Sequence, residues 1–329
     1  MARAGSRRAR ATKKKRHGGS ATVGMAAALI AIDWGTTSAR AYRLDAQGEI
    51  LDRRSAPLGV QQVIPGGFPA ALKRLLGDGV DADVPLLACG MIGSRQGWIE
   101  APYVHCPARP EEIAANLSWV DGTRLAIVPG LICHDADGVP DVMRGEETQI
   151  LGTLDGALPS LPRLIVLPGT HSKWVRVGPD GIEAFATFMT GELYALLQQH
   201  SILGRLATTG ASDETAFARG VRMSLRDKGA LPHDLFTART LALTDALAPE
   251  GVPDYLSGLL LGAEVAAAQR WADRDAVGEG AVTLVGDAAL CARYRRALTL
   301  AGFDTAAGPA EAAARGLWRI ARQAGMLAA

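Results

Sequence analysis

Apolar residues run unbroken from Ala27 to Ile32 and stop at Asp33. A continuous run of that length predicts a strand buried on both faces. The turn Gly35-Thr36-Thr37 follows, then a second strand from about Ala39 to Leu44, the turn Asp45-Ala46-Gln47-Gly48, and a third strand from near Ile50. The pattern returns in the second half. Leu164–Leu167 is an apolar run, Pro168-Gly169-Thr170-His171-Ser172 its turn, Trp174–Val177 the next strand, Gly178-Pro179-Asp180-Gly181 a hairpin turn and Ile182–Met189 the third strand. A strand–turn–strand–turn–strand unit heading each half predicts two similar domains.

Between and after these units the periodicity is that of an α/β protein. Pro69–Leu76, a segment from near Gly145 to about Leu154, Gly191–His200, Asp254–Trp271 and Cys291–Ala301 read as helices. Val84–Ala88, Leu125–Val128 and Val282–Val285 read as short buried strands, the last opening on Gly286-Asp287.

Composition narrows the class. The chain has 329 residues, 48% hydrophobic and 21% charged, which suits a protein with a substantial core. Its net charge of +1 hides an asymmetry. Residues 1–24 carry eight basic side chains and no acidic one, and the rest holds 27 basic against 34 acidic residues, a net of −7. The leader has no aromatic or helical pattern and reads as disordered, or as lying upstream of a start at Met25. It is not a secretory signal, since Met25–Ile32 lacks a cleavage site and leads straight into Asp33. No stretch is long and apolar enough for a membrane span. The four cysteines have no CxxC spacing, so neither zinc nor a disulfide framework is indicated, and a reducing cytoplasmic setting is expected.

The two glycine turns are the first candidates for chemistry. A tight turn after a strand exposes backbone N–H groups that can cradle phosphate, and glycine lets the backbone come close. Thr36, Thr37 and Ser38 add hydroxyls beside Gly35, and Thr170 and Ser172 add them beside Gly169. Two such turns facing across a cleft would clamp a polyphosphate. Asp33 would then hold Mg²⁺, or else cap its own turn. Lys173 would add charge near the phosphates, or be a solvated strand residue. Asp141-Val142-Met143-Arg144-Gly145-Glu146-Glu147-Thr148-Gln149 is dense in charge just ahead of the second unit. A carboxylate there could take the proton of an attacking hydroxyl, or be an ordinary helix N-terminal charge. Arg144, and Arg95 in the loop Gly93-Ser94-Arg95-Gln96-Gly97-Trp98, point to an anionic substrate or to structural ion pairs. The P-loop signature, a Gly-x-Gly-x-x-Gly after the first strand and any His-x-x-x-His pair are all absent, which argues against P-loop, nicotinamide and zinc-hydrolase chemistry.

Ala31-Ile32-Asp33-Trp34-Gly35-Thr36-Thr37 resembles the first phosphate motif of the actin, sugar-kinase and heat-shock ATPase superfamily. Six further segments carry a narrower likeness: Gly90-Met91-Ile92-Gly93-Ser94 with Ala101-Pro102-Tyr103, Met143–Gln149, Leu167–Trp174 with Met189–Leu193, and Leu256–Val265. Together they resemble the 2-dehydro-3-deoxygalactonokinase family, in order, from about Ile30 to near the C-terminus.

The resemblance implies a two-domain ribonuclease H-like (actin-like ATPase) fold, with ATP and Mg²⁺ in the interdomain cleft. The domains would cover residues 25–150 and 151–329. The implied reaction is phosphoryl transfer from ATP to the 6-hydroxyl of 2-dehydro-3-deoxy-D-galactonate. Glu146 or Glu147 would be the base and Asp33 the metal ligand. Gly35–Ser38, Gly169–Lys173 (His171 included) and Gly286 would hold the nucleotide, with the Leu256–Val265 helix flanking adenosine. Ser94, Arg95, Trp98 and Arg144 would hold the sugar acid. No nucleic-acid or membrane partner is implied, and a homodimer is compatible. The competing readings are a kinase for another sugar acid or amino sugar, and a non-catalytic sugar-sensing regulator that binds DNA. The regulator would need a groove-reading scaffold beside the basic leader, and none is visible.

Overall fold

A computed structural model describes residues 26–77, 83–154, 156–208, 210–226, 230–272 and 280–327. The basic leader, residues 1–24, lies outside them. In chain order the first half comprises β1 (Leu29–Trp34), β2 (Ala39–Leu44), β3 (Ile50–Ala56), α1 (Phe68–Leu76), β4 (Leu86–Gly90), β5 (Tyr103–His105), α2 (Pro110–Ala115), β6 (Ser118–Trp119), β7 (Leu125–Ile127), β8 (Gly130–His134) and β9 (Pro140–Met143). Helix α3 (Glu146–Thr153) leads out of it. The second half comprises β10 (Arg163–Leu167), β11 (Ser172–Gly178), β12 (Gly181–Phe188), α4 (Thr190–His200), α5 (Glu214–Arg226), α6 (Leu231–Leu243), α7 (Val252–Trp271), β13 (Val282–Leu284), α8 (Ala288–Leu300), β14 (Thr305–Ala307) and α9 (Ala312–Gln323).

The expected repeat is present in the sheets. The first has strand order β3-β2-β1-β4-β7-β6 and the second β12-β11-β10-β13-β14. In each, the leading three strands form an antiparallel meander and the first of them pairs in parallel with the next β-strand, β1 with β4 and β10 with β13. This is the duplicated ribonuclease H-like arrangement. A third sheet, β5-β8-β9, had no clear sequence signal.

Period-two alternation in the central strands decides what faces the cleft. In β1, Ile30, Ile32 and Trp34 pack on α1 through Phe68, Leu72 and Leu75. Leu29 and Ala31 face the other way, into a core shared with α9 and the second half through Leu317, Ile320, Val175 and Phe185. Asp33 has the parity of Leu29 and Ala31, so its carboxylate lies on the shared side. In the second sheet, Leu164, Val166 and Trp174 pack toward α5, α7 and α8, while Ile165, Leu167, Val175 and Val177 face the first half.

Helices α3 and α9 cross at glycines. A side chain on Gly152 would collide with the Ala312 carbonyl, and one on Gly316 with the Thr148 carbonyl. The two backbones therefore touch directly. A second contact joins the halves where β9 meets β12. Thr187 donates from its N and Oγ1 to Asp141 at 2.7 and 2.6 Å, and the Lys173 ammonium donates to the Val142 carbonyl at 2.8 Å and to Thr187 Oγ1 at 2.6 Å. Among the described residues no helix is long and apolar enough to cross a membrane.

Candidate active site

Asp33 lies in β1, one residue short of its end. Its nearest charged partner is Arg40, 3.7 Å away on β2. Burial pushes its carboxyl above the usual range and Arg40 pulls it back in part. It opens onto a cavity of about 460 Å³ walled by both halves: Asp33, Arg40 and Arg53 from the first sheet, Gln149 from α3, Gly286 and Asp287 before α8, and Glu311 before α9. Arg53 and Glu311 close one edge with a 2.6 Å ion pair.

The first glycine turn is open. The Gly35 N–H donates to Ser38 O at 2.9 Å, while the side chains of Thr36 and Thr37 are exposed. Residues 59–61 pack beneath it, the Val60 and Gln61 N–H groups donating to the Gly35 and Thr36 carbonyls at 3.1 and 3.2 Å. The turn thus presents hydroxyls outward from a supported backbone.

The second turn is built differently. Gly169, Thr170 and His171 lie at its tip, with Thr170 and His171 exposed. The start of α4 sits on it. Gly191 approaches the Gly169 carbonyl too closely for any side chain, and the Glu192 N–H donates to Thr170 O at 3.0 Å. The Glu192 carboxylate reaches His171 Nε2 at 2.5 Å. Gly286, at φ 144°, abuts Pro168, so the turn lies next to a residue that lines the cavity without lining it itself.

Two expectations for this turn are corrected. Strand β11 begins at Ser172, two residues earlier than the apolar pattern indicated. The pleat therefore turns the Ser172 hydroxyl inward, where it donates to Glu264 Oε1 at 2.8 Å, and it is fully buried. It is not a free phosphate donor. Lys173 is neither solvated nor free, because its ammonium is spent across the seam on Val142 and Thr187.

The acidic segment folds as a strained entry to α3. Gly145, at φ 107°, packs against Gly90 at the end of β4, a backbone conformation and a contact that exclude side chains. The following carboxylates bend back onto it. Glu147 accepts from the Gly145 N–H at 2.6 Å and from Thr148 Oγ1 at 3.0 Å, and has no exposed surface. Glu146 accepts from the Arg144 N–H at 3.0 Å and keeps part of its surface open. Burial raises both carboxyls. Glu147, with Glu146 beside it, reaches about 7. Glu146 is raised by burial and restrained by the Lys173 ammonium, with Asp33 close enough to act on it as well. Asp33, Glu146 and Lys173 thus form one electrostatic unit, although they come from β1, α3 and β11.

The substrate loop is partly corrected. Ser94 Oγ donates to the Met91 carbonyl at 2.7 Å and closes its own turn. Trp98 stacks on Phe68 at 5.9 Å and belongs to the core beneath the first sheet. Arg95 is 87% exposed, with only a 3.4 Å contact to Glu100. The Arg144 guanidinium lies over the Tyr103 ring at 4.4 Å and donates from Nη2 to Ala101 O at 2.8 Å. Its Nε and Nη1 are buried with no acceptor. The Leu256–Val265 stretch of α7 is almost wholly buried and does not line the cavity, so only Gly286 and Asp287 approach it from the expected adenosine side. Glu311 carried no sequence signal, since its partner Arg53 lies far away along the chain, and Glu264 lay in the Leu256–Val265 match without a role of its own.

The chain is similar to known proteins along most of its length. The family model for 2-keto-3-deoxy-galactonokinase matches residues 33–320. A 2-dehydro-3-deoxygalactonokinase of Escherichia coli (strain K12) is 40% identical over 285 residues, covering 86% of this chain and 93% of the relative. A protein of Rhizobium meliloti (strain 1021) given the same function is 37% identical over 307 residues, covering 88% of this chain and 97% of the relative. A crystal structure from Sinorhizobium meliloti, described as a 2-dehydro-3-deoxygalactonokinase protein, superposes with a TM-score of 0.82 at 38% identity, covering 89% of this chain and 98% of that one.

Proposed function

The chain belongs to the 2-keto-3-deoxy-galactonokinase family, and we propose that it transfers the terminal phosphoryl group of ATP to the 6-hydroxyl of 2-dehydro-3-deoxy-D-galactonate. The acceptor O6–P bond forms, the bond from the γ-phosphorus to the β,γ-bridging oxygen breaks, and the hydroxyl proton goes to a carboxylate. The products are ADP and 2-dehydro-3-deoxy-6-phosphogalactonate.

The observation that supports this reading is Asp33 at a cavity walled by both halves, with Glu146 near enough to feel its charge. Glu146 is the base in this reading. It is the less buried of the two carboxylates, while Glu147 is enclosed with both oxygens hydrogen-bonded. Burial raises the proton affinity of Glu146, as a general base requires, while Lys173 restrains the rise. Glu147 holds the Gly145 turn that presents it. Asp33, desolvated and only loosely paired with Arg40, fits a Mg²⁺ ion that takes its remaining ligands from phosphate and water. Bound there, the metal would neutralise charge developing on the transferred phosphoryl group.

The exposed first turn, Gly35 to Ser38, and the tip Gly169–Thr170–His171 would receive the phosphates, with Gly286 toward the nucleoside. Arg144, with two buried nitrogens lacking acceptors, and the exposed Arg95 supply the cations for the sugar-acid carboxylate. We place the boundary between the domains near residue 150, inside α3, and the enzyme in the cytoplasm, in keeping with its free thiols.

The test is Glu146→Gln, assayed with ATP and 2-dehydro-3-deoxygalactonate. The expected loss is about 10²–10⁴-fold in kcat with nucleotide affinity retained. An unchanged kcat removes Glu146 as the base. A panel of hexoses, gluconate and keto-deoxy acids in a coupled assay tests the acceptor.

A further inference from the structure

We propose that Glu264 is a positioning residue for the phosphoryl donor, gathering onto one carboxylate the three segments that border the nucleotide in the second half. The inference rests on the ATP reading above.

Glu264 projects from α7 and is 3% exposed. Its Oε1 accepts from Ser172 Oγ at 2.8 Å and from Trp174 Nε1 at 2.7 Å, and its Oε2 accepts from Tyr294 OH at 2.9 Å. The Thr190 hydroxyl is a fourth donor. No cation is among these partners. An apolar residue would fill this space at less cost, because a buried carboxyl is tolerated only when its hydrogen bonds are complete. Each donor belongs to a segment that reaches the proposed nucleotide site. Ser172 and Trp174 begin β11, immediately after the Gly169–His171 tip. Thr190 opens α4, whose next two residues pack on Gly169 and bond to Thr170. Tyr294 lies in α8, the helix capped by Asp287 directly after Gly286. One side chain therefore fixes the phosphate tip, the helix that braces it and the nucleoside-side turn relative to one another. Among the described residues, no buried carboxylate gathers donors beneath the first glycine turn.

The variants have distinct expectations. In Glu264→Gln the amide oxygen can still serve Ser172 and Trp174, while the Tyr294 and Thr190 hydroxyls can rotate to accept from the amide nitrogen. Glu264→Leu removes all four acceptor contacts. Leu259→Ala, elsewhere in α7 in a cluster with Tyr255 and Ala238, is the control for lost stability alone.

Calorimetric titration with a non-hydrolysable ATP analogue and Mg²⁺, with KM for the keto acid measured alongside, reads the outcome. Expected for Glu264→Leu is a loss of nucleotide affinity of about tenfold or more, keto-acid KM nearly unchanged, and near-complete rescue in Glu264→Gln. Leu259→Ala should lower the melting temperature without moving nucleotide affinity. Unchanged nucleotide affinity in Glu264→Leu, or equal weakening of both substrates there and in Leu259→Ala, overturns the proposal. Should Glu264→Leu fail to fold, Ser172→Ala and Tyr294→Phe carry the same test with smaller shifts expected in the same direction. If the parent protein binds the keto acid but no nucleotide, the ATP reading fails on its own and is distinguished from failure of the role of Glu264.

Discussion

The two glycine turns occupy equivalent places in two sheets of the same strand order, yet they are built for different work. The first follows a strand that carries a carboxylate, Asp33, and its threonines stand exposed over a loop that supports only the backbone. The second follows Leu167 and Pro168, has no acid at its strand end, and is held from behind by α4 and through Ser172 by Glu264. Burial separates them further. The acids near the first turn lean on one another and on a lysine from the opposite half, whereas the acid behind the second is met by neutral donors. One half thus carries the clustered carboxyls and the other a carboxyl that braces its turn through neutral donors. A shared topology does not carry a shared role to equivalent positions.

That division can be broken by experiment. The largest effect should come from Asp33→Asn, a loss of at least about 100-fold in kcat, roughly 3 kcal/mol of barrier, with a raised Mg²⁺ requirement. If Ser172→Ala cost kcat as much, the two turns would not differ as described. Next comes stability against pH. The Glu147 carboxyl moves from 4.5 to about 7 on folding. The folded form holds its proton longer, so its contribution is complete below 4.5 and is lost as pH rises through about 7. Denaturant titrations of Glu147→Gln should therefore shift in the variant's favour across that window, by up to about 3 kcal/mol. Glu264→Gln, with four neutral donors in place of an acidic neighbour, should show a shallower trend; an equal one would erase the contrast between the two buried acids.

A smaller change is expected from Lys173→Met. The ammonium favours ionised Glu146, so removing it raises that carboxyl further, and the acid limb of the kcat–pH profile should move to higher pH. A limb that stays in place would cut the electrostatic link between the halves. The smallest effect belongs to Ser172→Ala, about 1 kcal/mol in nucleotide affinity with kcat preserved.

Much of this was legible in the sequence. Unbroken apolar runs located β1, β10 and their turns, and the charge density from Asp141 to Gln149 marked the entry to α3. What escaped has physical reasons. Strand β11 begins two residues before the apolar run, so Ser172 joins the pleat with the parity of the buried Trp174 and its hydroxyl points inward. Trp98 lies in a loop of polar and glycine residues, so its packing on Phe68 had no periodic signal. The strands of the third sheet are three to five residues long, too short for alternation to distinguish them from loop. Glu264 meets Ser172 across 92 residues of chain, and no local pattern encodes that distance.

The crossing of α3 and α9 has a mechanical consequence. Backbone pressed on backbone, with glycine at both contact points, allows the helices neither to slide past one another nor to separate without losing the shared core. The Lys173 and Thr187 bonds to β9 hold the halves at a second place. The Ala108 and Ile182 backbones, bonded both ways, and the Arg109–Asp180 ion pair join them at a third, so the seam holds the halves along its length. The contact best suited to yield is Arg53 with Glu311 at the cavity rim, a partly exposed pair of the kind worth about 1 kcal/mol or less.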